Sequence, residues 1–94
     1  MSEGKIWMNG SLVDWDNAKI HVLTHALHYA TGVFEGVRCY KTVNGSAIFR
    51  LGDHVQRLMD SGRVYFMDLG YTKKQLEEAI VETVRANHMD ECYI

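Results

Sequence analysis

His25-Ala-Leu-His-Tyr-Ala-Thr-Gly-Val-Phe-Glu-Gly-Val-Arg38 changes its period halfway, and that change decides how the rest of the chain is arranged. Ala26, Leu27 and Ala30 suit a short helical turn, whereas from Val33 the residues read as a strand running to Tyr40. On a strand, Phe34, Gly36, Arg38 and Tyr40 share one face and Val33, Glu35, Val37 and Cys39 the other, because successive side chains leave opposite sides of the pleat. The first face carries a ring, a missing side chain and a permanent cation in sequence. Glycine weakens a strand unless something approaches the backbone there, and a ligand is one such thing. This face is therefore a candidate pocket floor.

On the amino-terminal side, Ile6-Trp7-Met8 and Ser11-Leu12-Val13 flank Asn9-Gly10, the dipeptide best suited to the positive φ angles of a tight hairpin. Asp14 to Lys19 is polar and turn-like. Ile20 to Leu23 is an extended approach to Thr24, whose hydroxyl is expected to cap the short helix. On the carboxyl-terminal side, Asn44-Gly45 predicts a second hairpin, with Ala47-Ile48-Phe49 returning. Asp53 then starts a helical pattern that places Val55, Leu58, Met59 and Gly62 on one stripe and runs to Tyr65 or Phe66. After a break at Gly70, Thr72 and Gln75 match a capping box. The following helix has Leu76, Ala79, Ile80, Thr83 and Val84 on its apolar stripe. Cys92-Tyr93-Ile94 is β-prone, is expected to return to the sheet, and reads as cut in mid-strand. The fold class is α+β, a largely antiparallel sheet with two helices packed on it.

A chain of 94 residues has room for one domain and little room for an enclosed pocket. Its 47% hydrophobic content fits a folded globular domain. A net charge of −2 offers no basic stripe, so no nucleic-acid partner is expected. No apolar run approaches a bilayer span, and the polar start at Met1 is unlike a leader, so no membrane partner and a cytoplasmic location are expected. Cys39 and Cys92 form no CxxC and read as reduced thiols. His21, His25 and His28 are spaced as a metal-binding face would be, but Ile20 to Leu23 is not helical, so the expected metal set is none. Arg57, one residue before Leu58 of the stripe, could lean toward the core; it is either a snorkelling side chain or an anion ligand, since a guanidinium fork matches phosphate. Arg38 is open between a pocket-lining and an exposed role. Tyr29 and Phe34 are pocket walls or plain core aromatics.

Ile6-Trp7-Met8-Asn9-Gly10, the stretch from His25 through Tyr40, and Phe49-Arg-Leu-Gly-Asp-His-Val-Gln-Arg-Leu58 together resemble the branched-chain amino acid aminotransferases. The resemblance covers nearly the whole chain in order. It implies the small amino-terminal domain, residues 1–94, of a fold type IV pyridoxal-phosphate enzyme that moves the amino group of leucine, isoleucine or valine to 2-oxoglutarate. It further implies pyridoxal 5'-phosphate as cofactor, amino acids and 2-oxo acids as small-molecule partners, and a homo-oligomer. Residue by residue it implies that Arg57 holds the cofactor phosphate and that Phe34 and Gly36 line the substrate side-chain pocket. Tyr93 would sit near the substrate carboxylate, Tyr29 would reach a neighbouring subunit's pocket, and Arg38 would lie near the substrate without an assigned role. The family's Schiff-base lysine belongs to a second domain that has no counterpart here. No lysine of this chain stands in that context, so no catalytic residue is assigned and the chain alone is expected to be inactive. The alternative expectation is a small non-catalytic binding or interaction module derived from that domain.

Overall fold

The computed structural model describes residues 4–94; the polar start Met1-Ser2-Glu3 lies outside them. Strand β1 (Lys5–Met8) turns at Asn9-Gly10 into β2 (Ser11–Asp14), with Met8 opposite Ser11. Both turn residues take the positive φ that this turn requires, 52° at Asn9 and 100° at Gly10. This hairpin forms a two-stranded sheet of its own. A 3-10 turn follows at Trp15–Asn17, and helix α1 (His25–Tyr29) comes after an irregular approach. Strand β3 (Arg38–Thr42) is the middle of a second, three-stranded sheet, between β4 (Gly45–Ile48) and β5 (Cys92–Tyr93). Among the described residues every strand pair is antiparallel. Helices α2 (Leu51–Val64) and α3 (Lys73–Ala86) lie against each other, and α3 also covers β1. The chain is thus α+β, with antiparallel pairing and two long helices, as the sequence predicts. The sheet is divided in two.

Several boundaries differ from expectation for identifiable reasons. The strand expected from Val33 begins as β3 only at Arg38. Backbone pairing extends one residue further back, where Val37 and Ile94 exchange both bonds, N–H to O at 3.1 and 2.7 Å. Residues 33–36 have the alternation of a strand but no ladder partner among the described residues. The second hairpin turns at Val43-Asn44 rather than Asn44-Gly45, because Thr42 pairs with Gly45. Gly45 supplies its positive φ of 108° just after the turn. Thr24 does not cap α1: its hydroxyl donates instead to the His21 carbonyl at 2.7 Å. A hydroxyl in a loop has other acceptors within reach, and here one of them wins.

Helix α2 starts two residues before Asp53, after Arg50 at φ 51°. Arg50 Nε donates to Asp53 Oδ2 at 2.8 Å, and the carboxylate sits in the first turn where the helix dipole favours it. The helix ends at Val64, before Tyr65 and Phe66, because Phe66 takes φ 56° and Met67 N–H returns to the Gly62 carbonyl at 2.9 Å. The capping box of α3 forms as read: Gln75 N–H donates to Thr72 Oγ1 at 3.1 Å, and Thr72 N–H to Gln75 Oε1 at 2.8 Å. Among the described residues the buried core is small. Val37, Cys39, Val55 and Ala79 are its fully buried apolar members. Among the same residues no helix is long and apolar enough to cross a membrane.

Candidate functional site

The site is built around residues 33–37, where alternation decides which side chains meet. Val33, Glu35, Val37 and Cys39 turn inward, while Phe34, Arg38 and Tyr40 are exposed. The division into two faces is the one the pleat predicts. Phe34, at 87% exposure, stands on an open face, so that face is a floor without walls within this chain. A cavity of about 270 Å³ lies mainly on the opposite side, bordered by Val33, Glu35, Val37, His54, Val55 and Leu58, with Phe34 at its edge. Of the face read as a candidate pocket floor, Phe34 borders this cavity, while Gly36, Arg38 and Tyr40 lie outside its lining.

Gly36 is placed against Tyr93. A Cβ on Gly36 would lie 2.5 Å from Tyr93 Oη and 3.2 Å from two of its ring carbons. The missing side chain is therefore matched by a tyrosine from the neighbouring strand β5. Tyr93 also pairs directly with Arg38 across the two strands. Arg38 is exposed, with its Cζ 5.9 Å from the centroid of the Tyr40 ring, within cation–π reach. Gly36, Arg38 and Tyr93 are thus brought together where β3 meets β5, with exposed Phe34 two residues before Gly36 in the chain.

Arg57 does not lean into the core. Its side chain is 67% exposed and reaches from α2 to Glu35, whose side chain is only 10% exposed. Arg57 Nε donates to Glu35 Oε2 at 2.8 Å, and Nη2 donates to Oε1. His54, one helical turn earlier, donates from Nδ1 to the same Oε1 at 3.2 Å. The Arg57 hydrogen bond is the main reason the Glu35 carboxyl is held down to about 2; His54 acts in the same direction and partial desolvation opposes both. Glu35 in turn pushes the Arg57 guanidinium up. Glu35 and His54 were not singled out from the sequence. A signal existed: a carboxylate on the inward face beside Val33 and Val37 calls for a cation.

Tyr29 is placed apart from this edge, on α1, 70% exposed, with its ring 4.6 Å from that of His25 and 6.4 Å from that of His28. The three histidines of this region are engaged locally. His21 Nδ1 accepts from Leu23 N–H at 2.9 Å, His25 Nδ1 pairs with the Thr31 hydroxyl at 2.5 Å, and His28 Nε2 donates to the Val22 carbonyl at 2.8 Å.

No protein-family model matches the chain. Curated relatives and solved structures do. The branched-chain-amino-acid aminotransferase of Pseudomonas aeruginosa is 49% identical over 92 residues, covering 98% of this chain and 30% of that protein. The crystal structure of the Escherichia coli branched-chain amino acid aminotransferase superposes with a TM-score of 0.95 at 43% identity, over 97% of this chain and 30% of that one. The T.th. branched-chain amino acid aminotransferase complexed with N-(5'-phosphopyridoxyl)-L-glutamate gives 0.95 at 50% identity, over 99% and 32%. The chain spans about 30% of the length of the curated relatives it matches, and over that stretch it is their homologue in sequence and in fold.

Proposed function

We propose that the chain is the amino-terminal small domain of a pyridoxal-phosphate-dependent branched-chain aminotransferase, and that it forms one side of that enzyme's substrate site. The observation that carries this is the pairing of 49% identity across 98% of the chain with a TM-score of 0.95. The whole protein would act in the cytoplasm as a homo-oligomer on leucine, isoleucine or valine and 2-oxoglutarate. Transamination needs an electron sink, which the cofactor supplies when bound. What this chain contributes is shape and charge.

The residues present fit one end of that cofactor. A guanidinium carries five N–H donors. In Arg57 the Nε edge is taken by Glu35, which leaves the terminal edge with three donors, exposed and able to bind a phosphate. Phe34 and Gly36 would line the space for a branched aliphatic side chain, with Tyr93 closing it near the substrate carboxylate. Arg38, paired with Tyr93, stands beside that position. Tyr29, exposed on α1, would reach the pocket of a neighbouring subunit. The lysine that holds the cofactor would come from a second domain, so the 94 residues alone would not transaminate.

An intact mass of the source protein tests this, together with an absorbance scan before and after borohydride. A mass about three times the 10.8 kDa of this chain, with a chromophore that borohydride removes, is the expected result. A mass of 10.8 kDa without a chromophore would overturn catalysis and leave a non-catalytic binding module.

A further inference from the structure

We propose that Glu35, anchored by His54, is the positioning residue that aims Arg57 at the cofactor phosphate. This rests on the reading of Arg57 as the phosphate-binding cation. Three observations converge, one on the stretch before β3 and two on α2. Glu35 belongs to the stretch before β3 and is almost covered, so its carboxylate has few alternative orientations. Arg57 belongs to α2 and is mostly exposed, so among the described residues its polar partner is the main restraint on a long side chain that would otherwise sample many rotamers. His54 sits one turn earlier on α2 and donates to the same Glu35 oxygen that accepts from Arg57 Nη2. The helix is thereby fastened to the carboxylate at two points.

The side-on pairing through Nε and Nη2 is what makes the contact directional. A carboxylate held at that edge fixes the plane of the guanidinium, and the unpaired Nη1–Nη2 end then points away from Glu35. A phosphate arriving there meets donors already oriented, which lowers the ordering cost of binding. An opposing effect acts at the same place: Glu35 is an anion, and an anion near the site repels phosphate. If repulsion dominated, removing the charge would tighten binding. The arrangement of an exposed cation on a covered carboxylate, doubly tied to one helix, favours orientation over repulsion.

The test uses the full-length protein that carries this domain, freed of cofactor and titrated with pyridoxal 5'-phosphate and, separately, with pyridoxal, which lacks the phosphate. Arg57→Ala is the reference and should weaken binding of the phosphorylated form selectively. Glu35→Gln should weaken it on the order of tenfold, the scale seen when a partner that orients a ligand-binding group is lost, with pyridoxal unchanged. His54→Leu should move the same ratio by less, and Glu35→Gln added to Arg57→Ala should cost nothing more. The thermal midpoint of each cofactor-free variant separates folding from positioning, since a merely structural defect affects both ligands alike. If Arg57→Ala leaves the ratio unchanged, the phosphate reading fails and this inference goes with it. If Arg57→Ala acts but Glu35→Gln leaves the ratio unchanged or raises affinity, the positioning role alone is overturned.

Discussion

Replacing Gly36 by alanine sets the new methyl against one identified ring. At 2.5 Å from Tyr93 Oη and 3.2 Å from two ring carbons, the added carbon cannot coexist with the ring as placed. Either the backbone gives or the ring leaves. Tyr93 is 66% exposed, so it can swing outward, and the cost is bounded by the contacts it forfeits. About a third of a side chain that buries roughly 200 Å² is roughly 70 Å², which at about 25 cal/mol per Å² is at most about 1.7 kcal/mol. Holding the ring in place would cost a similar or greater amount, about 1–3 kcal/mol of overpacking. The expected loss is therefore about 1–2 kcal/mol. Urea unfolding reads it as a midpoint lowered by about 1–2 M, taking a slope of about 1 kcal/mol/M for a chain of this size. Gly32→Ala is the control, since nothing lies within 4 Å of its Cβ position and its φ is ordinary. It should be neutral, or stabilising by up to about 1 kcal/mol through the unfolded state. The decisive comparison is a double-mutant cycle with Tyr93→Ala. If the clash is the cause, Gly36→Ala becomes nearly neutral once the ring is gone. Additive losses would refute the reasoning.

Val55→Ala, at the α2 residue with 1% exposure, should cost about 2–3 kcal/mol in the same urea assay, from two lost methyl groups and the cavity they leave. Thr72→Ala should cost about 1 kcal/mol because it removes a formed capping box; Thr24→Ala, whose hydroxyl caps nothing, should stay within about 0.5 kcal/mol. Glu35 should titrate near 2, against 4.5 when unfolded. Its folded pKa is the lower one, so its stabilising contribution is fully present above about 4.5 and is lost as pH falls toward about 2. Carboxyl NMR shifts check this, and Arg57→Ala should raise the midpoint toward the ordinary value.

What the sequence made legible was short in range. The Asn9-Gly10 turn, the Thr72–Gln75 box and the helix stripe through Ala79 are set by residues within a few positions of one another, and each is found as read. The two faces of residues 33–40 were equally legible, because alternation is a property of the backbone alone. Which face would lie inward was not. That depends on α2 crossing over the stretch, and the pairing of Arg57 with Glu35, 22 residues apart, is a product of that crossing. The same limit explains the start of β3, which is defined by where β5 arrives from more than fifty residues away. Thr24 shows a different limit: a capping residue has its chemistry in the sequence, but the competing acceptor at His21 is fixed by the loop's path.

The middle position of β3 bears on the order in which the domain assembles. Its pairing with β4 spans a turn of two residues and can form within microseconds, whereas its pairing with β5 must close a loop containing both long helices. The last strand therefore docks onto a sheet edge that already exists, and Tyr93 reaches Gly36 only in that final step. During synthesis the open side of β3 is a waiting edge, exposed until β5 emerges. The seam between β3 and β5 would then be the part of the second sheet most easily unzipped and remade without disturbing the helices behind it.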